Sequence, residues 1–121
     1  MEPVARTEFD ARELAELDRA IRTAETASRF EFSVFRGLTT SAPAAFARRL
    51  HASLVAPARS VLILVDPSKR AIEVVTGTEV ARRLTDSEVE LAVMAMQTAF
   101  AEGDDLGGLK RGLALLAEHA R

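Results

Sequence analysis

The chain contains no cysteine, which excludes a disulfide framework, a zinc–thiolate site, a thiol nucleophile and an iron–sulfur cluster. Its only histidines, His51 and His119, lie far apart with no second histidine at ligand spacing. Both read as surface or packing residues rather than metal ligands. No excess of one charge is present: 16 basic side chains stand against 18 acidic ones, a net charge of −2, which leaves no electrostatic footprint for nucleic acid or an anionic bilayer. No apolar run approaches the ~18 residues of a membrane span. The start, Met1-Glu2-Pro3-Val4-Ala5-Arg6, lacks the basic-then-apolar pattern of a signal peptide. The expectation is a soluble, cytoplasmic protein with no membrane span and no nucleic-acid partner. No nucleophile elbow, Walker loop or dinucleotide fingerprint occurs either, so the chemistry cannot be named from a motif.

What is present suits one small globular domain. Of 121 residues, 48% are hydrophobic, but 22 of these are alanine. The remaining large apolar residues suffice for one modest core. Residues 1–9, short and polar with Pro3, read as a loosely held lead-in, and 10–121 as a single domain.

Asp10 and Glu13 have capping-box spacing, with Phe9 and Leu14 at the positions of a hydrophobic staple. Leu14, Leu17, Ile21 and Ala24 then form a helical stripe to about Ala27. Phe30-Glu31-Phe32-Ser33-Val34-Phe35 reads as a strand closed by Gly37. Thr40 or Ser41 is expected to cap a second helix that carries Phe46, Leu50 and Leu54 and stops at Pro57. Residues 61–65 are an unbroken apolar run, the pattern of a central strand buried on both faces. Asp66-Pro67-Ser68-Lys69-Arg70 is turn chemistry, and Ala71-Ile72-Glu73-Val74-Val75-Thr76 returns as a hairpin strand. Thr85 with Glu88 repeats the capping box and opens a third helix ending near Gly103. Asp104 or Asp105 caps a fourth, whose Gly107, Gly108 and Gly112 weaken it or allow close packing. Strand, helix, strand and hairpin strand predict a three-layer α/β/α sandwich with a small mixed sheet and about four main helices.

This topology sorts the polar residues to two sheet ends. Glu25, Arg29, Arg59, Ser60, Gly77 and Asp86 gather where the first two strands begin. Arg36, Gly37, Thr39 and Thr40 gather at the opposite end with the hairpin residues Asp66, Ser68, Lys69 and Arg70, beyond the strands' carboxyl ends, where open parallel sheets commonly bind ligands. Calcium or magnesium sites need converging carboxylates. Glu25 with Asp86 is the acidic pair that placement supports, although Asp86 and Asp104 also suit a helix first turn, and Asp66 a turn, without any ligand. Fourteen arginines against two lysines are interleaved with acids, which describes a solvated, salt-laced surface. The first-helix stripe and Leu115 of the last helix are surfaces on which a partner or a second copy would dock.

The ordered motifs resemble the TPM domain family, and particularly its compact actinobacterial members grouped as DUF5130, over about residues 11–121. The resemblance rests on Ala24-Glu25-Thr26 before the first strand, the run 61–65, the hairpin with Arg70, and Ile72-Glu73-Val74-Val75-Thr76-Gly77. Leu84-Thr85-Asp86, Phe100-Ala101-Glu102-Gly103-Asp104, Gly108-Leu109 and Gly112-Leu113 complete it. It implies an α/β/α sandwich. It also implies two kinds of activity: acid phosphatases that use a divalent cation, as described for plant thylakoid members, and accessory or assembly factors for membrane complexes. Glu25, Gly77, Asp86, Gly103 and Asp104 match the family pattern. The chain departs from it in lacking a signal peptide and membrane anchor, and in having Arg59-Ser60 and Arg36-Gly37 where members carry Asn-Gly and an acidic or polar residue. Fewer convergent carboxylates favour binding over hydrolysis.

The leading expectation is therefore a non-enzymatic TPM-like domain that binds a protein or small ligand through Glu25, Arg29, Arg59, Gly77 and Asp86. The alternative is a phosphomonoesterase with Ca²⁺ or Mg²⁺ held by Glu25, Asp86 and Asp104 and phosphate held by Arg29 or Arg59. A homo-oligomer built on the first or last helix is a further expectation.

Overall fold

The computed structural model describes residues 9–121; the expected lead-in, apart from Phe9, lies outside the described residues. The chain forms α1 (Ala11–Ser28), β1 (Glu31–Arg36), α2 (Pro43–Ala52), β2 (Ser60–Asp66), β3 (Ala71–Thr76), α3 (Asp86–Ala101) and α4 (Asp105–Ala120), with 3-10 turns at Pro57–Arg59, Pro67–Lys69 and Val80–Arg82. Both capping boxes close. Asp10 accepts from the Glu13 N–H at 2.8 Å while Glu13 accepts from the Asp10 N–H at 3.0 Å. Thr85 and Glu88 do the same at 3.2 and 2.9 Å.

The second helix starts differently from the expectation. Its N-cap is Ala42, with no side-chain hydrogen bond, and neither Thr40 nor Ser41 caps it. Pro43 in the first turn explains this: it has no N–H to satisfy and its ring pre-sets the helical φ, while the residue before it is held extended. Ser41 instead accepts from Arg49 at 2.6 Å. The helix ends at Ala52, before Pro57.

The sheet has the order β1-β2-β3. β1 runs parallel to β2, with Val34 opposite Ile63, and β3 runs antiparallel to β2, with Val74 opposite Ile63. Every residue of β2 is buried, as its unbroken apolar run requires when helices cover both faces. On one face Phe32, Val61, Ile63 and Val65 meet α1, α3 and α4 in the main core. On the other, Phe35, Leu62 and Leu64 meet Ala47, Phe46 and Leu50 of α2, with the Phe35 and Phe46 rings tilted at 5.3 Å. The result is the expected mixed α/β sandwich.

The glycines of α4 serve close packing. A Cβ on Gly112 would fall 2.5 Å from Met96 Sδ, and one on Gly108 2.5 Å from the Phe100 ring, so α3 and α4 approach along these positions. The apolar stripes of α1 and α4 are consumed in the same way: Leu17, Leu113 and Leu116 are core residues, and Ile21 and Leu115 pack against them. The surfaces expected to serve a homo-oligomer therefore face inward.

Candidate functional site

At the amino end of β1 and β2, the expected ligand-binding residues are largely occupied in holding the fold. Glu25 accepts from the Phe32 N–H at 3.0 Å, tying the last turns of α1 to the start of β1. Arg29 adopts the left-handed conformation, φ 70°, as the C-cap of α1. Its carbonyl accepts from Arg59 at 2.6 Å. Arg59 also donates to Glu79 at 2.9 Å and lies 5.1 Å over the Phe30 ring. Gly77 has no room for a side chain, since a Cβ would sit 2.0 Å from the Pro57 carbonyl and 2.4 Å from that of Ala58. Asp86 is exposed in the first turn of α3.

The three expected metal ligands do not come together. Asp86 opens α3 and Asp104 follows its end, and a helix of that length spans about 24 Å at about 1.5 Å per residue. Asp104 therefore lies at the opposite sheet end from Asp86, where its carboxylate accepts from the Gly107 N–H at 2.9 Å and caps α4. Among the described residues no group of three His, Asp or Glu side chains is placed to hold an ion. The histidines are engaged as packing residues. His51 is buried and donates from Nε2 to the Ser60 carbonyl at 2.9 Å, while His119 Nδ1 lies 3.2 Å from Glu88.

The carboxyl end of β2 is built differently. Asp66 ends the strand fully buried, and the turn folds back around it. One oxygen accepts from Thr39 N and Oγ1 at 2.8 and 2.7 Å. The other accepts from Ser68 N and Oγ at 3.0 and 2.7 Å and from Lys69 N at 3.3 Å. Burial alone pushes this carboxyl up, but the donors from Ser68, Thr39 and Lys69 outweigh it and bring it down to about 2. Lys69 completes the knot, donating from Nζ to the Thr39 carbonyl and hydroxyl, each at 2.9 Å, and to the Ser41 carbonyl at 3.1 Å.

The knot fixes one wall of a cleft of about 470 Å³ between the β2–β3 hairpin and the junction of α3 with α4. Val65, Ile72 and Phe100 give it an apolar lining, and Arg70, Gln97 and Asp105 its polar groups. Asp105 is bound by the buried Arg36, whose Nε donates to Oδ2 at 3.0 Å and whose Nη2 meets the same oxygen. Arg70 is held at φ 52°, a conformation that costs a non-glycine residue of order 1 kcal/mol. Its guanidinium is exposed and makes no ion pair or hydrogen bond among the described residues. Arg70, uncommitted among the described residues, thus lines a partly apolar cleft whose two acids, Asp66 and Asp105, are already engaged. Sequence reasoning brought Asp66, Lys69 and Arg70 to this end, but not Gln97, Phe100 or Asp105, which only the packing of α3 and α4 carries there.

A two-faced mixed sheet of three strands under four helices, with a cleft beyond the carboxyl end of its central strand, defines a small α/β sandwich domain. The chain belongs to the DUF5130 family, a domain of unknown function, whose model matches residues 1–117. It is 32% identical over 109 residues to two uncharacterized proteins of Mycobacterium tuberculosis, Rv2468c of strain H37Rv and MT2543 of strain CDC 1551; the match takes in 90% of this chain and 65% of theirs. The chain thus spans slightly less than two thirds of the length of these relatives. The same fold occurs in BA42 of the psychrophile Bizionia argentinensis, with TM-score 0.84 at 20% identity, over 94% of this chain and 82% of that one. It recurs in the N-terminal domain of cg2496 from Corynebacterium glutamicum, with TM-score 0.76 at 14% identity, over 94% and 75%.

Proposed function

We propose that this domain is a TPM-like binding module, not a hydrolase, and that its ligand is an organic anion with an apolar body seated in the cleft at the carboxyl end of β2. The observation that carries this reading is Arg70, a cation whose guanidinium has no partner among the described residues and which lines a cleft with Val65, Ile72 and Phe100. A guanidinium suits a carboxylate or phosphate through two parallel hydrogen bonds, and Gln97 adds an amide to the lining of the same cleft. Phosphoester hydrolysis needs an available base or a cation bound by several acids. Asp66 and Asp105 are committed to protein donors, and Glu25, Asp86 and Asp104 are not gathered. This favours an accessory or recruiting role over turnover.

The test follows backbone amide shifts while phenylpropionate and inorganic phosphate are added separately, with and without Mg²⁺. Phenylpropionate is expected to move residues 70–72 and 97–101, with phosphate acting weakly at Arg70 alone. Arg70→Gly removes the cation and relieves the left-handed turn, so it keeps the fold and weakens phenylpropionate at least ~10-fold. Shifts centred on Glu25, Gly77 and Asp86, or p-nitrophenyl phosphate turnover that Mg²⁺ supports, would overturn the reading.

A further inference from the structure

The two edges of the sheet are unequal. At the β1 edge, α1 supplies Glu25 as an acceptor for the Phe32 N–H. At β3 no comparable bond is made among the described residues. The Gly77 N–H donates to the Ser60 carbonyl directly opposite it, which sets the alternation of the antiparallel ladder: residues 71, 73, 75 and 77 turn their peptide groups toward β2, and Ile72, Val74 and Thr76 turn theirs outward. Exposed edges of this kind are usually blunted by lysine, proline or a bulge. β3 has none of these, and its one charged residue is Glu73.

The helix beside this edge carries its last charge at Glu90. α4 lies between α1 and α3 on the main-core face, which leaves α3 outermost, over β3. Residues 91–101 of α3 carry no charge. Ala92 and Met96 are fully buried, whereas Leu91 and Met94 are each 55% exposed.

We infer that β3 is a self-association edge, on which a second copy of this chain pairs antiparallel about a two-fold axis through Val74 to give a continuous six-stranded sheet. This register pairs Val74 with its own copy and Ile72 with Thr76, so every outward peptide group of the strand finds a partner. It also sets Glu73 opposite Val75. Centring the axis on Glu73 would oppose like charges, which is destabilising; centring it on Ile72 or Thr76 would leave outward groups unpaired. Strands lie about 4.8 Å apart and packed helices about 8–10 Å apart. The two α3 helices, each outermost over its own β3, therefore meet antiparallel across the seam, and Met94 is covered. The part of α3 after Glu90 carries no charge and tolerates that contact, where a charged one would be desolvated.

The test combines sedimentation equilibrium from about 5 to 500 μM, a range spanning weak and stable interfaces, with amide hydrogen exchange. Expected are a mass rising to twice that of the monomer and protection of the Ile72, Val74 and Thr76 amides that grows with concentration. Met94→Glu, at a half-exposed position that leaves the fold intact, should weaken dimerisation at least ~10-fold. Val74→Pro, which removes an outward N–H, should abolish it; if that variant does not fold, Met94→Glu and the exchange data decide. A monomer throughout overturns the inference. So does protection of these amides in a monomer, which would mean that the edge is covered from within the chain, or a dimer in which they exchange freely.

Discussion

Asp66→Asn is the most informative single substitution, because the whole β2–β3 turn is organised around one carboxylate. The native oxygens accept five hydrogen bonds, from Thr39 N and Oγ1, Ser68 N and Oγ, and Lys69 N. An amide keeps one acceptor oxygen and converts the other into a donor that faces donors. Whichever way it is turned, at least two N–H or O–H groups lose their acceptor. Bonds to a charged group are worth about 1.5–3 kcal/mol each, so after local rearrangement the loss is about 3 kcal/mol. For a chain of this length that is a fall in Tm of about 9–15 °C, read by calorimetry at pH 7.

The same carboxylate predicts the acid response. Its folded pKa of about 2 lies below the ordinary 3.8, so the folded state binds its proton less tightly than the unfolded chain. Its contribution is fully present above the unfolded value and is lost as pH falls from about 5 through 2. A shift of this size corresponds to about 2.4 kcal/mol at full weight. Ser68 and Lys69, two of its donors, are exposed, and screening reduces this to about 1–2 kcal/mol. The gap between the native protein and Asp66→Asn should therefore narrow by that amount between pH 5 and pH 2. A variant melting within ~3 °C of the native protein, or a gap independent of pH over this range, would refute the reasoning.

Two further predictions concern the frame. Gly77→Ala forces a Cβ against the Pro57 and Ala58 carbonyls at 2.0 and 2.4 Å, so backbone must shift and stability falls by about 2–3 kcal/mol. Gly112→Ala meets Met96 Sδ at 2.5 Å, an atom that can swing aside, and the loss stays below about 1.5 kcal/mol; urea unfolding at constant slope ranks the two. Asp10→Ala and Thr85→Ala each remove one capping box and should cost about 1 kcal/mol. Because the boxes open different helices, the double variant should cost the sum within about 0.5 kcal/mol, and thermal melts of the three variants check this.

The elements legible in the sequence are those whose signals are local and redundant. Asp10 with Glu13 and Thr85 with Glu88 state a helix start twice over, once from each partner, and both boxes close. The run 61–65 admits one reading, because five consecutive apolar residues between turn signals need burial on both faces. The start of α2 was less legible because two polar candidates, Thr40 and Ser41, precede a proline. Ser41 goes instead to Arg49, and Pro43 makes a side-chain cap dispensable.

The candidate site was legible only in its parts. Topology set Glu25, Arg29, Arg59 and Gly77 at one sheet end and Asp66, Lys69 and Arg70 at the other, but a list of neighbours does not say which charges are already spent. Glu25 and Arg59 look available until Glu25 is seen holding the Phe32 N–H and Arg59 holding Glu79 and the Arg29 carbonyl. Asp86 and Asp104 were expected to share an ion, yet the length of α3 separates them.

The exposed flank of α3 shows the same limit in apolar form. Leu91, Ala92, Met94 and Met96 are hydrophobic neighbours on a helix that is apolar nearly all round, and periodicity cannot choose which of them faces inward. Only the placement of α4 does so, because its glycines draw Met96 and Phe100 inward and thereby turn Leu91 and Met94 out. The close packing that completes the core thus leaves the uncharged stretch of α3 after Glu90 over β3, an edge on which no further bond is made among the described residues. Dimerisation through β3 and the stability of the α3–α4 contact are therefore linked. Gly108→Ala, whose Cβ meets the Phe100 ring at 2.5 Å and the Ala99 Cβ at 3.0 Å and so displaces α3, should weaken self-association by more than its cost to folding, whereas Asp10→Ala, which caps α1, should leave it unchanged. Equal effects of the two on the dimer, compared by sedimentation at matched folded fraction, would break that link.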